Sequence, residues 1–129
     1  MTFGIIGSGA FGTALSISLS STNKKLILWT RNQDVVNSVQ EIRENRLRLP
    51  GYILPQNIIV TNDINQMENC SIILIAVPMQ QLRSVVELHR SSLEGKILVA
   101  CCKGFEVSTG QGPTSILEMA SNKTAVLTG

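Results

Sequence analysis

The string Gly7-Ser8-Gly9-Ala10-Phe11-Gly12 sets three glycines at the spacing G-x-G-x-x-G, after a short apolar run and before a segment of helical period. Glycines so spaced can hold a phosphate. Gly7 permits a tight turn, and Gly9 lets the backbone approach a pyrophosphate with no side chain between. Gly12 allows the following helix to lie close on the preceding strand. Free backbone N–H groups at the positive end of that helix then face the anion. The same string could be only a structural strand-to-helix turn. The strand before it and the helix after it favour the phosphate.

A site selective for NAD places Asp or Glu at the end of the second strand, about 20 residues on, against the ribose 2′-hydroxyl. This chain reads Trp29-Thr30-Arg31-Asn32 there, with no acid at the strand end. An arginine suits a 2′-phosphate, so Arg31 predicts NADPH in preference to NADH, with NADH as the second option. The alternative for Arg31 is a solvated surface cation, and Asp34 nearby counts against the preference. Lys103 follows an apolar run at the point where ligands of doubly wound sheets bind. A lysine so placed attracts an anionic substrate and polarises a carbonyl, or is a solvated charge. His89 falls on the apolar face of its helix and reads as a satisfied core or boundary histidine. Pro78 reads as a strand terminator, and Gly104 and Gly110 as turn residues. Cys70, Cys101 and Cys102 lack C-x-x-C spacing and, with a single histidine, make no metal cluster; reduced buried thiols are expected.

These residues need a frame. Thr2 to Ile6 is a short apolar strand, and from Ala10 to Ser20 the period becomes helical, with Phe11, Ala14, Leu15 and Leu19 on one face. Lys25 to Trp29 is a second strand. Asn32 is a helix N-cap before a face of Val35, Val39 and Ile42. A loop carrying Pro50, Gly51 and Pro55 leads to a strand at Ile58 to Thr61 and a short polar helix near Asp63 to Met67. Ser71 to Val77 is apolar at nearly every position, as a central parallel strand covered on both faces should be. Leu82, Val85, Val86 and His89 recur at helical spacing. A strand at Lys96 to Cys101, a helix holding Ile116, Leu117 and Ala120, and a strand at Thr124 to Thr128 complete the order. Alternating strands and helices predict an α/β fold: a Rossmann-type, doubly wound, mainly parallel sheet of six strands, forming one domain over residues 1–129.

Composition bounds the remainder. A chain of 129 residues, 43% hydrophobic, buries about two-thirds of its unfolded surface and is not disordered. The net charge of +2 is scattered, which gives nucleic-acid binding little support. The apolar runs are too short to span a bilayer, and the N-terminus lacks the basic start of a secretory signal. A cytoplasmic protein with no membrane span is expected.

The motifs together resemble the bacterial-type NAD(P)-dependent glycerol-3-phosphate dehydrogenases. The similarity runs along the whole chain: GSGAFGTAL, LWTRN, ENRLRLPGYILPQNI, IAVPMQQLR, CKGFEVSTG and AVLTG, in that order. The resemblance implies hydride transfer between carbon 2 of glycerol 3-phosphate and an NAD(P) nicotinamide, interconverting glycerol 3-phosphate and dihydroxyacetone phosphate and feeding glycerophospholipid synthesis. It implies that Ala10 and Phe11 contact the cofactor and that Arg31 lies near the adenosine ribose. Lys103 would touch cofactor and substrate, and the backbone of Gly129 would meet glycerol 3-phosphate. Met79 departs from the serine common after AVP and is given no chemistry. The family's general-base lysine belongs to a second, helical domain, which this chain is expected to stop short of. No catalytic residue is therefore assigned here. Cofactor binding with negligible turnover is expected of these 129 residues alone, with self-association through surface the second domain would cover. The competing readings are a non-catalytic or vestigial nucleotide-binding module and a related two-domain dehydrogenase of another substrate.

Overall fold

The computed structural model describes residues 2–22 and 25–127. Six strands form one sheet: β1 (Phe3–Ile6), β2 (Leu26–Trp29), β3 (Ile58–Thr61), β4 (Ile72–Ile75), β5 (Ile97–Ala100) and β6 (Thr124–Val126). Their spatial order is β3-β2-β1-β4-β5-β6, and every pairing is parallel. The register is even, with Phe3 opposite both Leu26 and Ile72, and Ile6 opposite both Trp29 and Ile75. Chain order reverses between β1 and β4, which makes the cleft beyond their carboxyl ends the place where ligands of such sheets bind.

Helices cover both faces: α1 (Ala10–Ser20), α2 (Gln33–Ile42), α3 (Leu82–Leu88), α4 (Arg90–Leu93) and α5 (Pro113–Leu117). Because side chains alternate along a strand, neighbours in one strand feed opposite cores. Ile5, Leu26, Leu28, Ile58 and Leu74 pack with Val35 and Val39 of α2. Ile6, Ile27, Trp29, Ile73, Ile75 and Leu98 pack with Leu82 and Val86 of α3 and with Ile116 and Leu117 of α5. Burial on both sides explains the unbroken apolar runs of β2 and β4.

Asn32 caps α2 as expected, its Oδ1 accepting from the Asp34 N–H at 2.9 Å. The polar helix near Met67 is a single 3-10 turn at Ile64–Met67, capped by the Asp63 carboxylate. Strand ends are shorter than the apolar runs: β4 stops at Ile75, beyond which the Ala76 N–H donates to the Ile6 carbonyl. β6 is described to Val126, and Thr128 lies outside the described residues.

The face of α1 differs from expectation. Gly12, Thr13, Ser16 and Ser20 are buried, whereas Phe11 is 56% exposed, Ala14 is exposed, and Leu15 and Leu19 are half-buried. Only small residues let this helix approach the sheet so closely. Their hydroxyls cost little to bury because Ser16 donates to the Gly12 carbonyl at 2.8 Å and Ser20 to that of Ile17 at 2.6 Å. Among the described residues, no helix is long and apolar enough to cross a membrane, and no group of three or more His, Cys, Asp or Glu could hold a metal.

Candidate functional site

The glycine turn joins β1 to α1 at the point where the sheet order reverses. Gly7 has φ of 113°, and a Cβ there would stand 2.4 Å from the Ala76 carbonyl oxygen, so both conformation and space demand glycine. Its N–H donates to the Trp29 carbonyl at 3.0 Å, fastening the turn to β2. Gly12 is the contact residue: a Cβ on it would lie 2.0 Å from the Gly7 carbonyl oxygen. Gly9 differs from both. It is the N-cap of α1 with φ of −65°, and among the described residues nothing stands within 4 Å of where its Cβ would be. Close packing therefore accounts for Gly7 and Gly12, while Gly9 borders open space. The Gly9 carbonyl accepts from the Thr13 N–H at 3.0 Å, starting the helix. The N–H groups of Ala10, Phe11 and Gly12 precede that bond and have no intrahelical acceptor. No side chain caps this end, and no acid lies in its first turn.

At the end of β2, Thr30 is buried where a dinucleotide site selective for NAD carries its acid. Its Oγ1 lies 2.6 Å from Ser8 Oγ and accepts from the Asn32 N–H at 3.0 Å. Arg31 is exposed beside it and, among the described residues, has no hydrogen-bond or ion-pair partner. Sequence reasoning missed the Ser8–Thr30 contact, although both residues stood in strings it singled out.

Lys103 follows β5 on the same carboxyl edge, exposed and without an ion-pair partner among the described residues. The loop it opens is held firmly. The Gln80 amide donates to the Phe105 carbonyl at 3.1 Å and accepts from the Val107 N–H at 3.0 Å. Arg83 Nε lies 3.0 Å from both oxygens of Glu106, a carboxylate only 5% exposed, and Thr109 donates to the same group at 2.5 Å. These donors, Arg83 first, hold the Glu106 carboxyl below its ordinary range, and the carboxylate raises the Arg83 guanidinium in return. Gly104 and Gly110 take positive φ in this loop, as turn residues do. Gln80 and Arg83 both lay in the quoted string IAVPMQQLR, as their partners lay in CKGFEVSTG, but neither was given a role beforehand.

Met79 is buried, its Sδ 3.6 Å from Cys102 Sγ. Burial raises all three thiols, Cys101 to about 11, so they stay protonated at neutral pH. His89 ends α3 with its ring edge-on to Trp29, centroids 4.8 Å apart. It is a core neighbour but not a satisfied one: His89 Nε2 and Trp29 Nε1 are both buried without partners among the described residues. Gly129 lies outside the described residues.

This arrangement presents helix-end N–H donors at open space, with Arg31 after β2 and Lys103 after β5 both exposed on the same carboxyl edge. Such a surface suits an anionic, extended ligand. Comparisons with known proteins point the same way. The family model described as NAD-dependent glycerol-3-phosphate dehydrogenase N-terminus matches residues 2–129. A relative from Roseobacter denitrificans, named glycerol-3-phosphate dehydrogenase (NAD(P)+), is 43% identical over 131 residues, covering 100% of this chain and 41% of its own length. One of the same name from Anaplasma marginale is 40% identical over 131 residues, covering 97% and 39%. The crystal structure of a glycerol-3-phosphate dehydrogenase from Coxiella burnetii shares the fold, with a TM-score of 0.88 at 23% identity, over 99% of this chain and 40% of that one. The chain thus spans about two-fifths of the length of the curated relatives it matches.

Proposed function

Because the chain belongs to the NAD-dependent glycerol-3-phosphate dehydrogenase family, through that family's N-terminal part, we propose that it binds the nicotinamide cofactor. In the whole enzyme, the reaction interconverts sn-glycerol 3-phosphate and dihydroxyacetone phosphate. The observation that carries this reading is the division of labour among the glycines. Gly7 and Gly12 are needed to fold the turn, while Gly9 leaves bare backbone toward solvent at a helix end. A pyrophosphate fits that cradle, and any Cβ at Gly9 would stand in its path.

The bound nicotinamide supplies the hydride chemistry. What this chain supplies is binding, orientation and charge. The N–H groups at the start of α1, those of Ala10, Phe11 and Gly12, hold the pyrophosphate. Arg31 faces the adenosine ribose, where its guanidinium favours a 2′-phosphate and hence NADPH; the buried Thr30 offers no carboxylate to repel it. Lys103 draws the anionic substrate to the carboxyl edge and polarises its carbonyl. Gly129 is assigned to substrate by the resemblance alone. No residue of this chain is assigned the proton transfer, so the 129 residues by themselves should show negligible turnover of glycerol 3-phosphate.

The test is a fluorescence titration of the purified chain with NADPH and, in parallel, with NADH. Saturable binding tighter for NADPH is the expected result, and Arg31→Ala should bring the two affinities together. Equal affinities in the unaltered chain would remove the NADPH preference. A folded chain that binds neither would remove the cofactor reading.

A further inference from the structure

Asn45 lies in the connection from α2 to β3, a stretch whose sequence marks it as surface loop, yet its side chain is fully buried. Both amide hydrogens are used inside the glycine turn. Nδ2 donates to the Ser8 carbonyl at 2.9 Å and to Thr13 Oγ1 at 2.9 Å. Oδ1 accepts from the Arg48 N–H at 3.2 Å, and the Asn45 carbonyl accepts from Leu49 N–H at 2.9 Å. Thr13, also fully buried, sends its hydroxyl toward the Ser8 carbonyl at 3.3 Å. Two side chains from separate parts of the molecule thus hold one carbonyl oxygen.

That carbonyl belongs to the peptide joining Ser8 to Gly9. In a planar trans peptide, C=O and N–H point in opposite directions. Fixing the Ser8 oxygen inward therefore aims the Gly9 N–H away from Asn45 and Thr13, at a residue whose Cβ would meet nothing within 4 Å among the described residues. The opposite orientation would present a carbonyl oxygen to an anion and bury an N–H against the Asn45 amide. Ser8-Gly9 is otherwise free to turn over, since a glycine follows the peptide bond. The support beneath Asn45 is rigid. Arg43 sits in the left-handed region at φ of 54° and gives its guanidinium to the carbonyls of Leu54, Pro55 and Ile58. Glu44 pairs with Ile53 and takes the Gly51 N–H at 2.6 Å.

We propose that Asn45 is a positioning residue for phosphate binding, locking the Ser8–Gly9 peptide with its N–H toward the ligand. This rests on the cofactor reading above. A prop that is set before the ligand arrives contributes affinity by removing a reorganisation step.

The test uses ADP-ribose, which carries the pyrophosphate but no nicotinamide, titrated into the unaltered chain and into Asn45→Ala. Folded protein is confirmed by circular dichroism, and the Gly9 amide is followed by NMR. Loss of the two bonds should weaken ADP-ribose about tenfold, with the Gly9 amide resonance broadened by exchange between two peptide orientations. A merely structural asparagine would lower the unfolding midpoint and leave the affinity of folded molecules, and the Gly9 signal, as they were; that result overturns the proposal. Where Asn45→Ala fails to fold, Thr13→Val keeps the shape and removes the hydroxyl. Weakening of about threefold supports the proposal and unchanged affinity overturns it. An unaltered chain that binds no ADP-ribose would instead sink the cofactor reading, and this inference with it.

Discussion

At the scale of single residues, the three glycines of the turn answer to different constraints, packing at Gly7 and Gly12 and, on the proposed reading, binding at Gly9. Alanine at Gly12 would drive a Cβ to 2.0 Å from the Gly7 carbonyl oxygen, backbone against backbone, where no flexible side chain can yield. Overpacking of this kind costs about 3 kcal/mol or more, so Gly12→Ala should lower the urea midpoint sharply. Gly9→Ala meets open space at an ordinary φ of −65° and should change stability by less than about 1 kcal/mol. Its affinity for NADPH should nevertheless fall at least about tenfold, because on the proposed reading the methyl would occupy the path of the phosphate. Paired denaturation and titration curves for the two variants check both expectations. A Gly9→Ala chain that binds as well as the parent would mean the phosphate lies elsewhere.

At the scale of elements, the Lys103 loop and α3 carry an acid sensitivity with two steps. Burial holds His89 below its ordinary value near 6.5, so the unfolded chain takes up that proton first as pH falls. Stability is therefore full above about 6.5 and declines from there down to the folded value. Glu106 is held below its ordinary value of 4.5 by Arg83 and Thr109. Its contribution is present above 4.5 and is lost as pH drops through its lower folded value. Both steps run the same way. Urea midpoints measured from pH 8 to pH 3 should show two declines, with His89→Phe removing the upper and Glu106→Gln the lower. Hydrogen exchange at the Glu106 and Val107 amides should quicken in the lower step, since Arg83 then loses its charged partner on that loop.

At the scale of the whole molecule, the sheet was legible and the long-range props were not. β2 and β4 announce themselves because burial on both faces removes the need for polar alternation. The buried side of α1 was hidden for the opposite reason: its docking face is small and polar, and its larger apolar residues stay outside. Asn45 stood in the quoted string ENRLRLPGYILPQNI, but its role could not be read there, because it lies in partners 37 and 32 residues away, outside that proline- and glycine-bearing loop. Phe11, Phe105 and Val107 remain exposed on segments that follow β1 and β5 at the carboxyl edge. Apolar surface so placed should make the isolated chain associate as concentration rises, measured by sedimentation velocity, and Phe105→Ser should reduce it. Trp29, the chain's single tryptophan, offers a way to watch much of this without a label. Its carbonyl holds the Gly7 N–H, while its indole lies among apolar core residues in a T-shaped contact with His89, its Nε1 without a partner among the described residues. The molecule thus contains its own optical probe: blue-shifted emission while the core is dry, dimming as the neighbouring imidazole takes a proton, and a red shift when β2 lets the glycine turn go.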